Sequence, residues 1–353
     1  MTTMPDRPTL LREPPPDPNK APIENVLEVT ELAVLGPNIF TNTRRAWHPP
    51  GARGIYGGSV IAMCLAAAQR TLSDDFSVHS CHCYFLLAGS SELPILFHVE
   101  NVRDGRSFAT RTVQAKQKGR CIFTTTISFV REGSAGPIPQ VSHASPMPLS
   151  GPDGEPLRPP PDDFDDEPEL LNEGPFQSHR IEVVNRDSPH PHEKKTRQWV
   201  RARGKITGGH QAHLNALAYV SDSYFIGTIT RIHQLWRFPF RPDEIPKLPE
   251  DTQKRVRKLH EWEGLGEVED MRGRPEVGMM VSLDHTIYFH EPRKIRADEW
   301  MVNEMESPWA GDGRGVVTQR IFSKDGTLLA TCIQEGVVRL KDLPDVNSKE
   351  SKL

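Results

Sequence analysis

The chain lacks any apolar run approaching the roughly 20 residues that span a bilayer as a helix, so a helical membrane anchor is excluded. Its opening stretch, MTTMPDRPTLLREPPPDPNKAP, has no apolar core of signal-peptide length and is broken by prolines, so export is not expected. Basic excess is missing too. Lys and Arg total 43 against 47 Asp and Glu, giving a formal net charge of -4, which argues against nucleic acid as a partner. Cysteine is sparse: Cys64, Cys81, Cys83, Cys121 and Cys332 sit in apolar runs and form no CxxC pair. An odd number so placed reads as small buried hydrophobes in a reducing compartment rather than as a disulfide framework or a structural zinc. No HExxH occurs, and His79, His82 and His290 fit no zinc spacing, so no metal is expected. GDGRGV misplaces the third glycine of a dinucleotide loop, and GRSFA at 105–109 fails the last position of a nucleophile elbow.

What is abundant is proline, 32 residues, in a chain of 353 with a mean hydropathy of -0.52. The prolines cluster. Residues 1–24 read as a disordered leader, and 134–179, rich in Pro and Asp without apolar periodicity, as a linker. A charged stretch at 229–277, with one short helix expected near 250–262, reads as an insertion. Two folded halves remain, 25–133 and 180–345, followed by a polar tail at 346–353.

The halves resemble each other. HSCHCYFL (79–86) and LDHTIYFH (283–290) share a Tyr-Phe pair, and Asp104-Gly105-Arg106 matches Asp312-Gly313-Arg314. Gly119 and Gly326 each mark a turn between the last two strands, which favours antiparallel hairpins. Ahead of these strands each half carries one helix, GGSVIAMCLAAAQRTL (57–72) and GGHQAHLNALAYVSDSYFIG (208–227). The first is apolar on nearly every face, the pattern of a helix that something wraps. The expected class is α+β: one long helix held in a curled antiparallel sheet, made twice.

Asp222 interrupts an apolar stretch, with Ala218 and Val220 behind it and Phe225 and Ile226 ahead. It is either the polar edge of the helix or a desolvated carboxylate, which burial would make a better base. Gln334 ends a strand face formed by Leu328, Ala330 and Cys332, where a buried amide needs a hydrogen bond, structural or functional. Alternation groups Ser282 with Asp284 and Thr286, opposite Leu283, Ile287 and Phe289, so Ser282 is expected toward solvent. His285 falls on the face opposite Ser282 unless a bulge intervenes. Gly57 and Gly58 open the first helix, either to offer free N–H groups or to let the helix fit closely. Arg197, Trp199, Arg201 and Arg203 share one strand face that suits CoA phosphates and adenine, or is simply a solvated charged face.

Taken together, IYGGSVIAMCLAAA, VHSCHCYFLLAG, RDGRSFATRTVQAKQKG, SDSYF, SLDHTIYFH and QEGVVR resemble the acyl-CoA thioesterase II family. The resemblance spans both halves in order and implies a double hot-dog fold that hydrolyses fatty acyl-CoA to fatty acid and CoA. It implies that water is activated by Asp222, by Ser282 (where many relatives carry Thr) and by Gln334. No cofactor is implied, because a thioester already has a good leaving group. It leaves 134–179 and 229–277 uncovered. A hot-dog enoyl-CoA hydratase, with a paired Asp and His near the helix start, is the nearest alternative, and GGSVIAMC and GGHQAHLN lack that pair. A non-catalytic acyl-CoA-binding protein is the other. Ser351-Lys352-Leu353 at the C-terminus match the address read by the peroxisomal import receptor, so a peroxisomal matrix location is expected. Exposed sheet edges and faces in such folds favour pairing, and a homo-oligomer is expected.

Overall fold

The structure, a computed structural model, describes residues 13–49, 52–150, 154–163, 165–168 and 174–341. Residues 1–12 of the leader and the tail with Ser351, Lys352 and Leu353 lie outside the described residues.

The first repeat contains helix α1 (Pro22–Val26), strands β1 (Val29–Glu31) and β2 (Ile39–Asn42), and helix α2 (Gly57–Gln69). Four long strands follow: β3 (Phe76–Phe85), β4 (Leu96–Asp104), β5 (Phe108–Gln117) and β6 (Arg120–Arg131). The connecting segment carries the small hairpin β7 (Leu149–Ser150) and β8 (Glu155–Pro156). The second repeat then runs through β9 (Phe176–Ser178), β10 (Glu182–Val184), β11 (Lys195–Ala202), α3 (Gly209–Val220) and α4 (Gly227–Ile232). It ends with α5 (Glu250–Trp262), β12 (Val277–Ser282), β13 (Asp284–Phe289), β14 (Met301–Gly311), β15 (Arg314–Ser323) and β16 (Leu328–Leu340).

Among the described residues one antiparallel sheet carries both repeats, in the order β1-β2-β4-β5-β6-β3-β13-β16-β15-β14-β11-β10. The seam is β3 against β13, where Tyr84 lies opposite Asp284 and Ser80 opposite Tyr288. Each half-sheet wraps a helix. From Gly58 to Leu65 every residue of α2 is buried, as expected for a helix that is apolar on all sides. Its contacts with β5 and β6 and with α3 place both helices in one continuous core that includes Ile61, Leu65, Val113, Ile127, Leu214 and Leu217.

Several segments differ from their sequence reading. Part of the leader is packed: Ala21 and Ile23 are buried, and Glu24 accepts hydrogen bonds from Thr207 N and Gly208 N at the start of α3. The segment after 134 covers the second half-sheet, with Asp162 bonded to Arg201, Glu167 paired with Arg203 and Phe176 buried. The region 229–277 begins inside α4, whose Thr228 bonds Thr196 in the main core, and then builds a small core of its own from Trp236, Ile245, Val256, Val268 and Met271. Finally, the helix expected over 208–227 stops at Val220, and α4 begins only at Gly227. Tyr224 takes φ 57, a left-handed conformation that an aromatic residue adopts only under tertiary constraint, and the turn it makes separates α3 from α4.

Candidate active site

That turn carries Asp222. Ser221 ends α3, and its hydroxyl donates back to Ala218 O at 2.9 Å, while Asp222 projects away from the helix end. The carboxylate meets the start of α2: Gly58 N–H donates to Asp222 Oδ2 at 2.9 Å. The positive end of the α2 dipole therefore faces the carboxylate. The approach needs glycine. A Cβ on Gly57 would stand 2.7 Å from Asp222 Oδ2, and one on Gly58 would stand 2.2 Å from Tyr219 O. Tyr56, just ahead of α2, locks the same junction, donating to Tyr219 O at 2.9 Å and meeting Ser223 Oγ at 2.8 Å.

On its other side Asp222 Oδ1 accepts from Gln334 Nε2 at 2.7 Å. The same amide nitrogen lies 3.1 Å from His285 Nδ1, and His285 Nε2 lies 3.0 Å from Ser221 Oγ. The directions of these bonds follow from chemistry. His285 is fully buried, and burial lowers its pKa to about 3, so the ring is neutral. A neutral ring has one donor and one acceptor; Nδ1 accepts from Gln334, and Nε2–H donates to Ser221. Turning the Gln334 amide over would set its oxygen against a carboxylate and a ring acceptor. Asp222 and His285 thus fix Gln334 with Oε1 pointing away from them, buried and without a protein partner.

Burial is the largest influence on Asp222 and raises its pKa to about 6, while the bonds from Gln334 and Gly58 pull the other way. A carboxylate poised there is ionised near neutral pH yet basic enough to take a proton from water.

Ser282 requires a correction of strand geometry. Ser282 lies opposite Gly336 and Thr286 opposite Ile333, so the register slips by one residue around Leu283. That bulge reverses the alternation. Opposed residues in an antiparallel pair share a face, so Ser282 shares the face of Gly336, two residues along β16 from Gln334. A Cβ on Gly336 would stand 2.5 Å from Ile226 Cδ1, which shows that this face is the inner one. His285, opposite Gln334 by the later register, is on it as well. The structure thus brings Asp222, Gln334 and His285 into one bonded group and places Ser282 on the same sheet face. It also brings Gly57 beside them, whose N–H donates to no protein group among the described residues.

Arg197, Trp199 and Arg201 are not brought to this site. On β11 the inward positions are Thr196, Gln198 and Val200, so the other three lie on the outer face of the sheet. Arg197 is paired with Glu304 at 2.8 Å, and Arg201 bonds Gln177 and Asp162 and stacks over Trp300 at 4.3 Å. Trp199 is buried with Trp300, Val302 and Phe322. The stripe anchors the covering segment and leaves no arginine free for phosphate. Sequence reasoning passed over Ser221, which follows the last residue of α3, and set His285 on the face opposite Ser282 because alternation cannot reveal the bulge between them. Among the described residues no group of three or more His, Cys, Asp or Glu side chains is arranged to hold a metal ion.

Two half-sheets, each wrapping a buried helix and joined through β3 and β13, with a carboxylate of one repeat held at the helix start of the other, define a double hot-dog protein. Comparison with known proteins gives the family. A model of the acyl-CoA thioesterase N-terminal domain matches residues 44–130, and one of the acyl-CoA thioesterase C-terminal domain matches 153–338. Acyl-coenzyme A thioesterase 8 of Homo sapiens is 35% identical, over 93% of this chain and 92% of that protein. The peroxisomal acyl-coenzyme A thioester hydrolase 1 of Saccharomyces cerevisiae is 23% identical, over 94% of this chain and 99% of its own. An acyl-CoA thioesterase II from Mycobacterium marinum, solved as a crystal structure, is 28% identical with a TM-score of 0.60, covering 91% of this chain and 99% of its own. The chain belongs to the acyl-CoA thioesterase family, and it is an acyl-CoA hydrolase.

Proposed function

We propose that this hydrolysis runs through a water activated by Asp222 and held by Gln334 and Ser282. The observation that carries the reading is the carboxylate itself: desolvated, with a pKa near 6, and hydrogen-bonded to both repeats. Asp222 takes a proton from the water while the water oxygen bonds to the thioester carbon. The tetrahedral intermediate then collapses, the carbon–sulfur bond breaks, and CoA leaves as the thiolate, which takes up a proton. Gly57 N–H, at the positive end of α2, stabilises the oxyanion. Ser282 and Gln334 orient the water, and Ser221 and His285 hold Gln334 in position.

A non-catalytic acyl-CoA-binding role gains no support from this arrangement, since binding alone would not call for a desolvated carboxylate with a raised pKa at the helix start. The test is release of free CoA thiol from straight-chain acyl-CoAs of short to very long length. Release above the uncatalysed rate is expected, and none at any chain length would refute the reading. Two further elements belong to it. Location in the peroxisomal matrix is supported by Ser351-Lys352-Leu353 and by the name of the yeast relative. Self-association is supported by the exposed Tyr84, Tyr288 and Ile333 on the outer face near the seam, and sedimentation in solution tests it.

A further inference from the structure

The inner face of the second half-sheet carries four carboxamides in a diagonal. Gln334 on β16 lies one step from Gln319 on β15, since Gln319 pairs with Cys332. Gln319 pairs with Met305, which puts Asn303 on β14 at the next diagonal position, and Asn303 lies directly opposite Gln198 on β11. Diagonal and opposed neighbours on one sheet face are within reach of such side chains. Exposure of the four runs from 0 to 1%. Both polar atoms of Gln198, Asn303 and Gln319, together with Oε1 of Gln334, are buried with no protein partner.

The first repeat supplies the control. Tyr84 lies opposite Thr124 as Tyr288 lies opposite Thr331, and this frame extends outward strand by strand. Gln334 then corresponds to Ile127, Gln319 to Val113, Asn303 to Phe97 and Gln198 to Phe40. All four of those residues are apolar and buried. The same fold is therefore built with an apolar diagonal in one repeat and a carboxamide diagonal in the other. Packing does not demand the amides, and buried amides without partners weaken a fold. Where the first repeat does bury a charge on its inner face, at Arg111, the guanidinium is bonded to Thr71, Asp104 and backbone carbonyls.

We infer that the diagonal from Gln334 to Gln198 is a binding row for ordered waters, which leads from the hydrolytic site into the second repeat. The row is neutral and offers donors and acceptors alternately, the chemistry that buried water satisfies with two to four bonds. Such a row completes Gln334 through its free Oε1 and replaces, from within the second repeat, the water consumed at Asp222. The inference rests on Gln334 taking part in hydrolysis.

The test uses the full chain and two near-isosteric apolar variants, Gln319→Met and Asn303→Leu, with Gln334→Met as reference. On a straight-chain saturated acyl-CoA each row variant should lose about tenfold in kcat with KM unchanged, and should melt no lower than wild type. A high-resolution crystal structure of the wild type should show waters bonded along the row. Gln319→Val, the residue type the first repeat already uses, replaces Gln319→Met should the latter fail to fold. A dry row in the wild type, or row variants at wild-type kcat beside a crippled Gln334→Met, overturns the water row alone. Losses confined to acyl-CoAs with hydroxyl or carbonyl groups on the chain overturn it as well, since the amides would then read substrate. A fully active Gln334→Met would instead overturn the catalytic assignment beneath it.

Discussion

Gly58 donates its backbone N–H to Asp222 Oδ2 at 2.9 Å, and the two residues belong to different repeats. The base is therefore positioned only when α2 of the first repeat and the end of α3 of the second are docked. Gly58→Ala tests this junction. The added Cβ would stand 2.2 Å from Tyr219 O, a backbone atom that cannot swing aside, and 2.5 Å from the Tyr56 ring. Overpacking of this kind costs about 1–3 kcal/mol, to be read from denaturant unfolding, and activity should fall with it. A variant as stable and active as wild type would show that the approach is loose.

Activity should also report the titration of Asp222. The base works ionised, so kcat/KM should rise with pH and level off above a pKa near 6. Stability runs the other way. A folded pKa raised from 3.8 to about 6 means the folded state holds the proton more tightly. Stability from this group is therefore full below the unfolded value and is lost as pH rises through about 6. Gln334→Met removes a bond to the charged form, so the acid limb should move to higher pH while the plateau falls by about 10- to 100-fold. An acid limb that stays in place would separate Gln334 from the base.

Ser282 is expected to act through its hydroxyl. Ser282→Thr should keep most activity, and Ser282→Ala should lose about tenfold or more, with little change in melting temperature. Steady-state kinetics on both variants checks this. Equal rates for Ala and wild type would return Ser282 to the surface role that alternation suggested.

A reporter fused ahead of the intact C-terminus should collect in peroxisomes, and removal of Leu353 or a tag placed after it should disperse the signal. Fluorescence microscopy decides, and puncta that survive both changes contradict the assignment.

The repeat was legible because two short motifs, Tyr84-Phe85 with Tyr288-Phe289 and the two Asp-Gly-Arg turns, recur at nearly constant spacing. Asp222 stood out because it interrupts an apolar stretch, and Gln334 because it ends an apolar strand face. The rest was hidden in features that leave no periodic trace. A left-handed Tyr224 lies in the turn that follows the end of the expected helix at Val220, and an aromatic residue gives no warning of it. The slip at Leu283 reverses the parity of every residue before it, which carried Ser282 from the apparent outside to the inside. The Arg197–Trp199–Arg201 stripe looked free because its cover, the segment near Asp162 and Glu167, reads as linker by composition. Function for Ser282 and its partners came from family resemblance, not from local pattern.

The central claim is that Asp222 is the base, held between repeats for chemistry and not for folding. Asp222→Asn is nearly isosteric and removes the base without opening a hole. General bases contribute about 10²- to 10⁴-fold in rate, so turnover of acyl-CoA should fall by that factor with KM little changed. The melting temperature at neutral pH should hold or rise, because the variant no longer desolvates a charge. CoA release and melting temperature, measured on one preparation of each protein, decide the matter. A large loss of rate with the fold intact is the predicted result, and a wild-type rate, or a collapse in melting temperature, would contradict the account.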